Sequence, residues 1–256
     1  MIYPVPTHSY KKKPKRKIPW SLLLILFAVA FTGFFLYYTH NLLFDSSDMT
    51  EPVVDFLFLI QDKGEVFFIR SNKQQKISYA VQMPLKSFEP IQAVSLDQST
   101  PQGVYNSIEK LFGRANRSFW ATIETSDFAA LARLSKRSPL SPNTAEGPRT
   151  GSSESPHDIH HFIELVQQID LSAFEFIFFP KMKALQDIFV MDNFNNRSAY
   201  RLVDQLKNFA YKATPVTFLT KSPVTIRYRS GSAEVEVERF YLDDKSLKSI
   251  KEFMSQ

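Results

Sequence analysis

Val53–Met83 reads VVDFLFLIQDKGEVFFIRSNKQQKISYAVQM, and its alternation of apolar runs with turn chemistry sets the fold class. Val53–Ile60 (VVDFLFLI) is almost continuously apolar, the mark of a strand covered on both faces. Gln61-Asp62-Lys63-Gly64 supplies a turn. Glu65–Arg70 (EVFFIR) then reads as a second strand, Ser71–Gln75 as a polar turn, and Lys76–Met83 (KISYAVQM) as a third strand.

Working outward, the period changes. Val104, Ile108, Leu111 and Phe112 share one helix face, and Gly113 follows as a natural C-terminal cap. Ser118–Glu124 (SFWATIE) reads as a strand, and Ser126-Asp127 opens a helix running through Leu134. Arg137–Pro156 is rich in Ser, Pro, Gly and Thr and has no aromatic residue, so positions 137–156 are expected to be a disordered surface loop. Beyond it, Phe162, Ile163, Val166 and Ile169 predict a helix and Phe174–Phe179 (FEFIFF) a buried strand. Ser198 is expected to begin a helix with an apolar stripe of Leu202, Val203, Leu206, Phe209 and Ala210. Thr225–Arg229 and Ser232–Tyr241 predict a hairpin around Ser230-Gly231, in which Arg227 faces Glu234 as an exposed pair. Asp243 should cap a last helix carrying Leu247, Ile250 and Met254. Strands and helices mix along the chain, so the class is α/β, layered α-β-α, without an internal repeat.

N-terminal to this lies Ile18–Tyr38 (IPWSLLLILFAVAFTGFFLYY), 21 residues without a charge. At about 1.5 Å per residue such a helix spans roughly 30 Å, the thickness of the hydrocarbon core. Trp20 at one end and Tyr37 and Tyr38 at the other suit the two interfaces. A cleaved signal peptide is the competing interpretation, but its apolar core is usually only about 7–15 residues. The cluster Lys11, Lys12, Lys13, Lys15, Arg16 and Lys17 precedes the helix, which keeps the N-terminus inside and exports the remainder. The expected organisation is a basic cytoplasmic tail (1–17), a transmembrane helix (18–38), a spacer (39–52) and an extracytoplasmic domain (53–256). The localisation is the cytoplasmic membrane, single-pass, and the first partner is the bilayer itself.

The formal charge of +5 belongs to that tail. Six of the 31 basic residues lie in it, and the rest of the chain has 25 basic against 26 acidic residues. No basic face for nucleic acid is expected. Cysteine is absent, which excludes disulfides, cysteine nucleophiles and thiolate metal sites. No GxGxxG, GxxxxGK[ST] or GxSxG occurs, so nucleotide-binding and serine-hydrolase chemistry have no motif to rest on.

Some residues still suggest chemistry. Asp62 and Glu65 bracket the first turn and are the pair that could hold Mg²⁺ beside a phosphate; ordinary turn polarity is the simpler explanation of both. His157, His160 and His161 cluster beside Asp158 and suit either a solvated helix start or a metal site. Asn116 and Asn196 begin glycosylation sequons that matter only in a eukaryotic secretory host. The runs FLFLI, FFI and FEFIFF suit a packed core or the lining of an apolar tunnel.

A basic tail, one apolar helix, a spacer and this strand series together resemble the LytR-CpsA-Psr family. Val66–Phe88 (VFFIRSNKQQKISYAVQMPLKSF) resembles that family's strand, polar turn, strand and Pro-Arg-Asp signature. Gly103–Leu134 (GVYNSIEKLFGRANRSFWATIETSDFAALARL) resembles the helix, strand and helix that follow, and Arg239–Met254 (RFYLDDKSLKSIKEFM) the closing strand and helix. The likeness covers most of 53–256. It implies a bacterial extracytoplasmic α/β domain that transfers polyprenyl-pyrophosphate-linked glycopolymers onto the cell envelope. It places Arg70 and Lys86 as phosphate-binding candidates, with Asp62 and Glu65 on Mg²⁺ if transfer takes place.

Three departures bear on that implication. Pro84-Leu85-Lys86 stands where the family has Pro-Arg-Asp, so a point charge replaces a bidentate fork. Ser135-Lys136 stands where Gly-Gly is expected, and the Ser/Pro loop and histidines replace an arginine-rich stretch. Phosphoryl transfer depends on cations set around the phosphates. The expectation is therefore a catalytically degenerate protein of envelope assembly that needs no cofactor and binds a polyprenyl-linked glycan precursor or an envelope protein. The alternative is an unrelated bitopic scaffold or division protein without enzymatic activity.

Overall fold

A computed structural model of the chain describes residues 19–44, 46–135, 158–171, 180–191, 193–230 and 233–255. The basic tail, the predicted loop at 137–156, His157 and the predicted strand Phe174–Phe179 lie outside the described residues.

The three opening strands form where the apolar runs place them: β1 (Val53–Ile60), β2 (Glu65–Asn72) and β3 (Ile77–Pro84). Both turns are short and each uses a left-handed residue, Gly64 (φ 60°) in the first and Lys76 (φ 54°) in the second. The small sheet strands β4 (Ser87–Glu89) and β5 (Val94–Ser95) follow. Next come α3 (Pro101–Phe112), β6 (Arg117–Ile123) and α4 (Asp127–Leu134). The chain continues through α5 (Ile159–Gln167), α6 (Pro180–Ile188), β7 (Val190–Met191), α7 (Asn196–Asn208) and β8 (Ala210–Ala213). It closes with β9 (Val224–Ser230), β10 (Ala233–Tyr241) and α8 (Asp244–Ser255).

The main sheet has the order β7-β6-β1-β2-β3-β8 and the small one β5-β4-β10-β9. The β1–β2–β3 meander is antiparallel, whereas β6 joins β1 and β8 joins β3 in parallel. The two faces of the main sheet bury two separate cores, and this explains why β1 and β2 are apolar at nearly every position. Val54, Phe56, Phe58 and Ile60 point to the face under α4, α5, α6 and α7, with Phe67, Phe162, Phe189 and Phe194. Leu57, Leu59, Val66, Phe68 and Val81 point to the other face, under α3, α8 and the small sheet. The class is thus α/β with helices on both sides. The aromatic side chains meet ring to ring: Phe58 lies 4.8 Å from Phe162 and 5.1 Å from Phe189, and Phe189 lies 5.0 Å from Phe194. Phe56, Phe58, Phe67, Phe68, Phe119, Phe162 and Phe189 are all fully buried.

Local chemistry sets the helix ends. Thr100 caps α3, Pro101 occupies its first position, and Gly113 ends it at φ 80°. Helix α7 starts two residues before the expected Ser198, because Ser198 is the third residue of a capping box closed by Asn195. Asp243 accepts from Ser246 N and caps α8 as expected. In the hairpin, Ser230 pairs with Ala233, so the register differs from the predicted one. Arg227 meets Glu236 at 2.5 Å rather than Glu234, and Glu234 lies opposite Arg229.

Helix α1 (Trp20–Phe44) contains one stretch, Trp20–Tyr38, long and apolar enough to cross a membrane. The helix does not stop at Tyr38 but continues through six residues of the expected spacer. The remainder of that spacer is docked on the domain. Short helix α2 (Ser47–Thr50) packs on α7, with Met49 buried. Buried Arg201 donates from Nη1 to the Asp48 carbonyl and from Nη2 to the Glu51 carbonyl. Arg117 pairs with Asp48 at 2.8 Å, and Lys73 Nζ reaches the Met49 carbonyl at 3.4 Å. The sheet therefore has an anchor end, carrying Val53, Asn72, Ile77 and Arg117, and a far end, carrying Ile60, Glu65, Pro84 and Ile123.

Candidate functional site

The far end is where the parallel strands β1 and β6 finish, the position at which open α/β sheets most often bind ligands. The turn Gln61–Gly64 sits between β6 and the Pro84–Ser87 turn. Gln61 N donates to Ile123 O at 3.1 Å, and Leu85 N donates to Gly64 O at 2.6 Å. Three of the four sequence-predicted site residues are here, each with a partner. Both Asp62 carboxylate oxygens accept from Thr125 N at 3.2 Å, which ties the turn to the start of α4. Glu65 accepts from Gln82 Nε2 at 2.9 Å, and Gln82 Oε1 in turn accepts from Ile159 N at the start of α5. Lys86 pairs with Glu238 at 2.7 Å, both side chains half-exposed.

Lys86 also adopts φ 70°, in the left-handed region that lysine seldom occupies. The small sheet enforces this. Lys86 N donates to Leu96 O, and Lys86 O accepts from Phe240 N. Leu85 packs against the second core. An open cleft of about 320 Å³ lies nearby, lined by Gln61, Thr122, Glu124, Asp127 and Asp187 among others. Its charge is acidic, which opposes a bare phosphate.

The fourth predicted residue, Arg70, is at the opposite end of β2. It lies five positions from Glu65, or about 17 Å along a strand. It belongs to a closed polar network on the second core face. Arg70 Nε and Nη2 bind the two carboxylate oxygens of Asp55 at 2.7 and 2.8 Å. Nη1 donates to Phe112 O at 2.8 Å and Nη2 to Gly113 O at 2.7 Å, satisfying the last carbonyls of α3. Tyr105 Oη donates to Asp55 at 3.1 Å. Asp55, Arg70 and Tyr105 are all buried. Burial pushes the Asp55 carboxyl up from its ordinary range, against the opposing effect of Arg70 and Tyr105. Burial and the adjacent Asp55 charge push the Tyr105 phenol up. Arg201, buried against α2, is lowered to about 10 by its desolvation.

The structure thus does not bring Arg70, Lys86, Asp62 and Glu65 into one cavity. At the turn, Asp62 is engaged by Thr125 N and Glu65 by Gln82 Nε2. Among the described residues no three His, Asp or Glu side chains are grouped to hold a metal. His161 stacks on Phe128 at 6.1 Å, while His160 meets Tyr211 edge-on at 6.2 Å.

The buried partners Asp55, Tyr105 and Arg201 are not marked by any motif. One signal for the first was present. Asp55 is the one charge in β1 and Arg70 the one cation in β2, each five positions from the turn flanked by Ile60 and Glu65, so antiparallel pairing sets them opposite each other. Arg201 carries no such signal, because its partners are carbonyls of a distant segment.

No family model matches the chain, and no curated protein matches it either. Solved structures do. The Lin1025 protein from Listeria innocua superposes with a TM-score of 0.54 at 14% identity, over 80% of this chain and 98% of that one. This chain shares that fold. Lmo1026 from Listeria monocytogenes gives 0.50 at 16% identity, over 82% and 97%. A weaker likeness, with a TM-score of 0.45 at 10% identity over 81% and 90%, is to the LytR-CPS2A-psr family protein YwtF (TagT) with bound octaprenyl pyrophosphate lipid.

Proposed function

We propose that this is a single-pass protein of the bacterial cytoplasmic membrane, N-terminus inside, whose exported LytR-CpsA-Psr-like domain binds a polyprenyl-linked glycan precursor during envelope assembly without transferring it. The apolar helix, the cationic residues before it and the residue-level resemblance across 66–88, 103–134 and 239–254 support the placement. The observation that carries the loss of catalysis is the Pro84-Leu85-Lys86 turn. Leu85, half-buried, packs against the second core where the resemblance calls for a phosphate-binding arginine, and Lys86 is paired with Glu238. With Arg70 committed to Asp55, no guanidinium fork is supplied to the far end by the predicted residues.

The test takes the full chain from a bacterial membrane. Native mass spectrometry should show a co-purified polyprenyl phosphate or pyrophosphate, and an assay with lipid-linked glycan should show no transfer. Transfer by the wild-type chain would overturn the non-catalytic assignment. Absence of any lipid together with a stoichiometric protein would favour the second reading, a docking scaffold. The hairpin gives that reading its support: β9 is the edge strand of the small sheet, and Val224 and Tyr228 are exposed along it.

A further inference from the structure

A second cleft, of about 430 Å³, opens at the anchor end of the sheet, at the opposite end from Asp62, Glu65 and Lys86. Arg114, Arg117, Asn116, Glu109 and Trp120 line it. Its height above the bilayer follows from α1. The helix runs six residues past Tyr38, or about 9 Å of rise, while the headgroup layer adds roughly 5–8 Å beyond the hydrocarbon on each side. The Arg201 and Arg117 contacts then hold Asp48–Glu51 on the domain, so this end cannot drift away from the surface. Arg117, on the cleft wall, is itself part of that clamp.

The chemistry of the cleft is mixed in sign. Arg114 is 86% exposed, with a single loose contact of 3.5 Å to Glu109. Arg117 meets Asp48 through one nitrogen of its guanidinium. Trp120 Nε1 is a buried N–H donor with no acceptor, and its ring is fixed by stacking on Tyr105 at 5.4 Å. Two guanidiniums and an orphan N–H ask for acceptor oxygens. The Glu109 carboxylate on the same wall asks for a cation. We propose that this cleft binds the headgroup of a bilayer lipid that carries a phosphodiester and an ammonium, as in an ethanolamine phospholipid. Arg114, Arg117 and Trp120 take the phosphate and Glu109 the amine. The site would fix the domain's rotation about its anchor by holding one lipid beside it.

The full chain, reconstituted in vesicles of mixed ethanolamine, glycerol and choline phospholipids and released into native mass spectrometry, provides the test. One ethanolamine lipid should be retained above its share of the bilayer. Arg114→Ala should lower that retention about tenfold, the equivalent of one charge-assisted hydrogen bond. Trp120→Phe, which keeps the stacked ring, should lower it as well, and Glu109→Gln should shift preference toward the glycerol headgroup. Trp20→Phe leaves Trp120 as the single indole. In that background soluble phosphoethanolamine should change the fluorescence in detergent, which shows that the headgroup chemistry suffices without a membrane. Retention that follows bulk lipid composition and ignores Arg114→Ala and Trp120→Phe would overturn the proposal. Polyprenyl retention is read separately, by mass, in the same spectra.

Discussion

The two ends of the main sheet use charge in opposite ways. At the anchor end, Asp55, Arg70 and Arg201 are buried and bound several times over, to each other or to the carbonyls that end α3 and form α2. At the far end, Asp62, Glu65 and Lys86 each meet one partner near the surface. Leaving a buried charge unpaired is costly because water is not there to help, whereas exposed charges tolerate single contacts. Of the four site residues suggested by the sequence, Asp62, Glu65 and Lys86 therefore make single contacts near the surface, whereas Arg70 belongs to the buried network that joins β1, β2 and α3.

Four substitutions probe this contrast, most severe first. Asp55→Ala strands the Arg70 guanidinium in a buried site and should cost about 3–5 kcal/mol, measured by denaturant unfolding of the full chain in detergent. Replacing both partners, Asp55→Leu with Arg70→Met, should recover most of that loss. A double variant as unstable as the single one would show that the loss does not come from a stranded Arg70 charge. Phe162→Ala removes the ring that meets Phe58, Phe67 and Phe128 and should cost a similar 3–5 kcal/mol or so by the same measurement. It also separates a packed core from a lipid tunnel, since a tunnel lining would tolerate the truncation.

Gly113→Ala forces a side chain into a backbone (φ 80°, ψ 166°) that glycine alone occupies readily, and about 1–3 kcal/mol should be lost. Because Gly113 O accepts from Arg70, backbone amide exchange around Arg70 should rise in parallel. Lys86→Ala should change stability by less than about 1 kcal/mol, since its pair with Glu238 is half-exposed. A larger loss would place Lys86 in the structural class and narrow the difference between the two ends.

Much of the frame was legible. The apolar runs at 53–60, 65–70 and 76–83 became β1, β2 and β3, and the stripe ending at Gly113 became α3, because burial on two faces or one leaves a periodic trace. The short sheet strands β4 and β5 were not, since two or three residues are too few to show a period. The spacer at 39–52 was composed like a linker, yet it is helical to Phe44 and then clamped. Apart from the Asp48 carboxylate on Arg117, it binds through backbone carbonyls, which every residue possesses.

The long apolar helix, the α/β class and the identity of the Pro84-Leu85-Lys86 turn could all be read from the chain alone, because length, hydropathy and residue identity are local properties. Packing, in contrast, sets Arg70 against Asp55 and the end of α3, and Arg201 against the carbonyls of Asp48 and Glu51. A guanidinium carries no record of its partner, and the choice among distant carboxylates and carbonyls is made by packing.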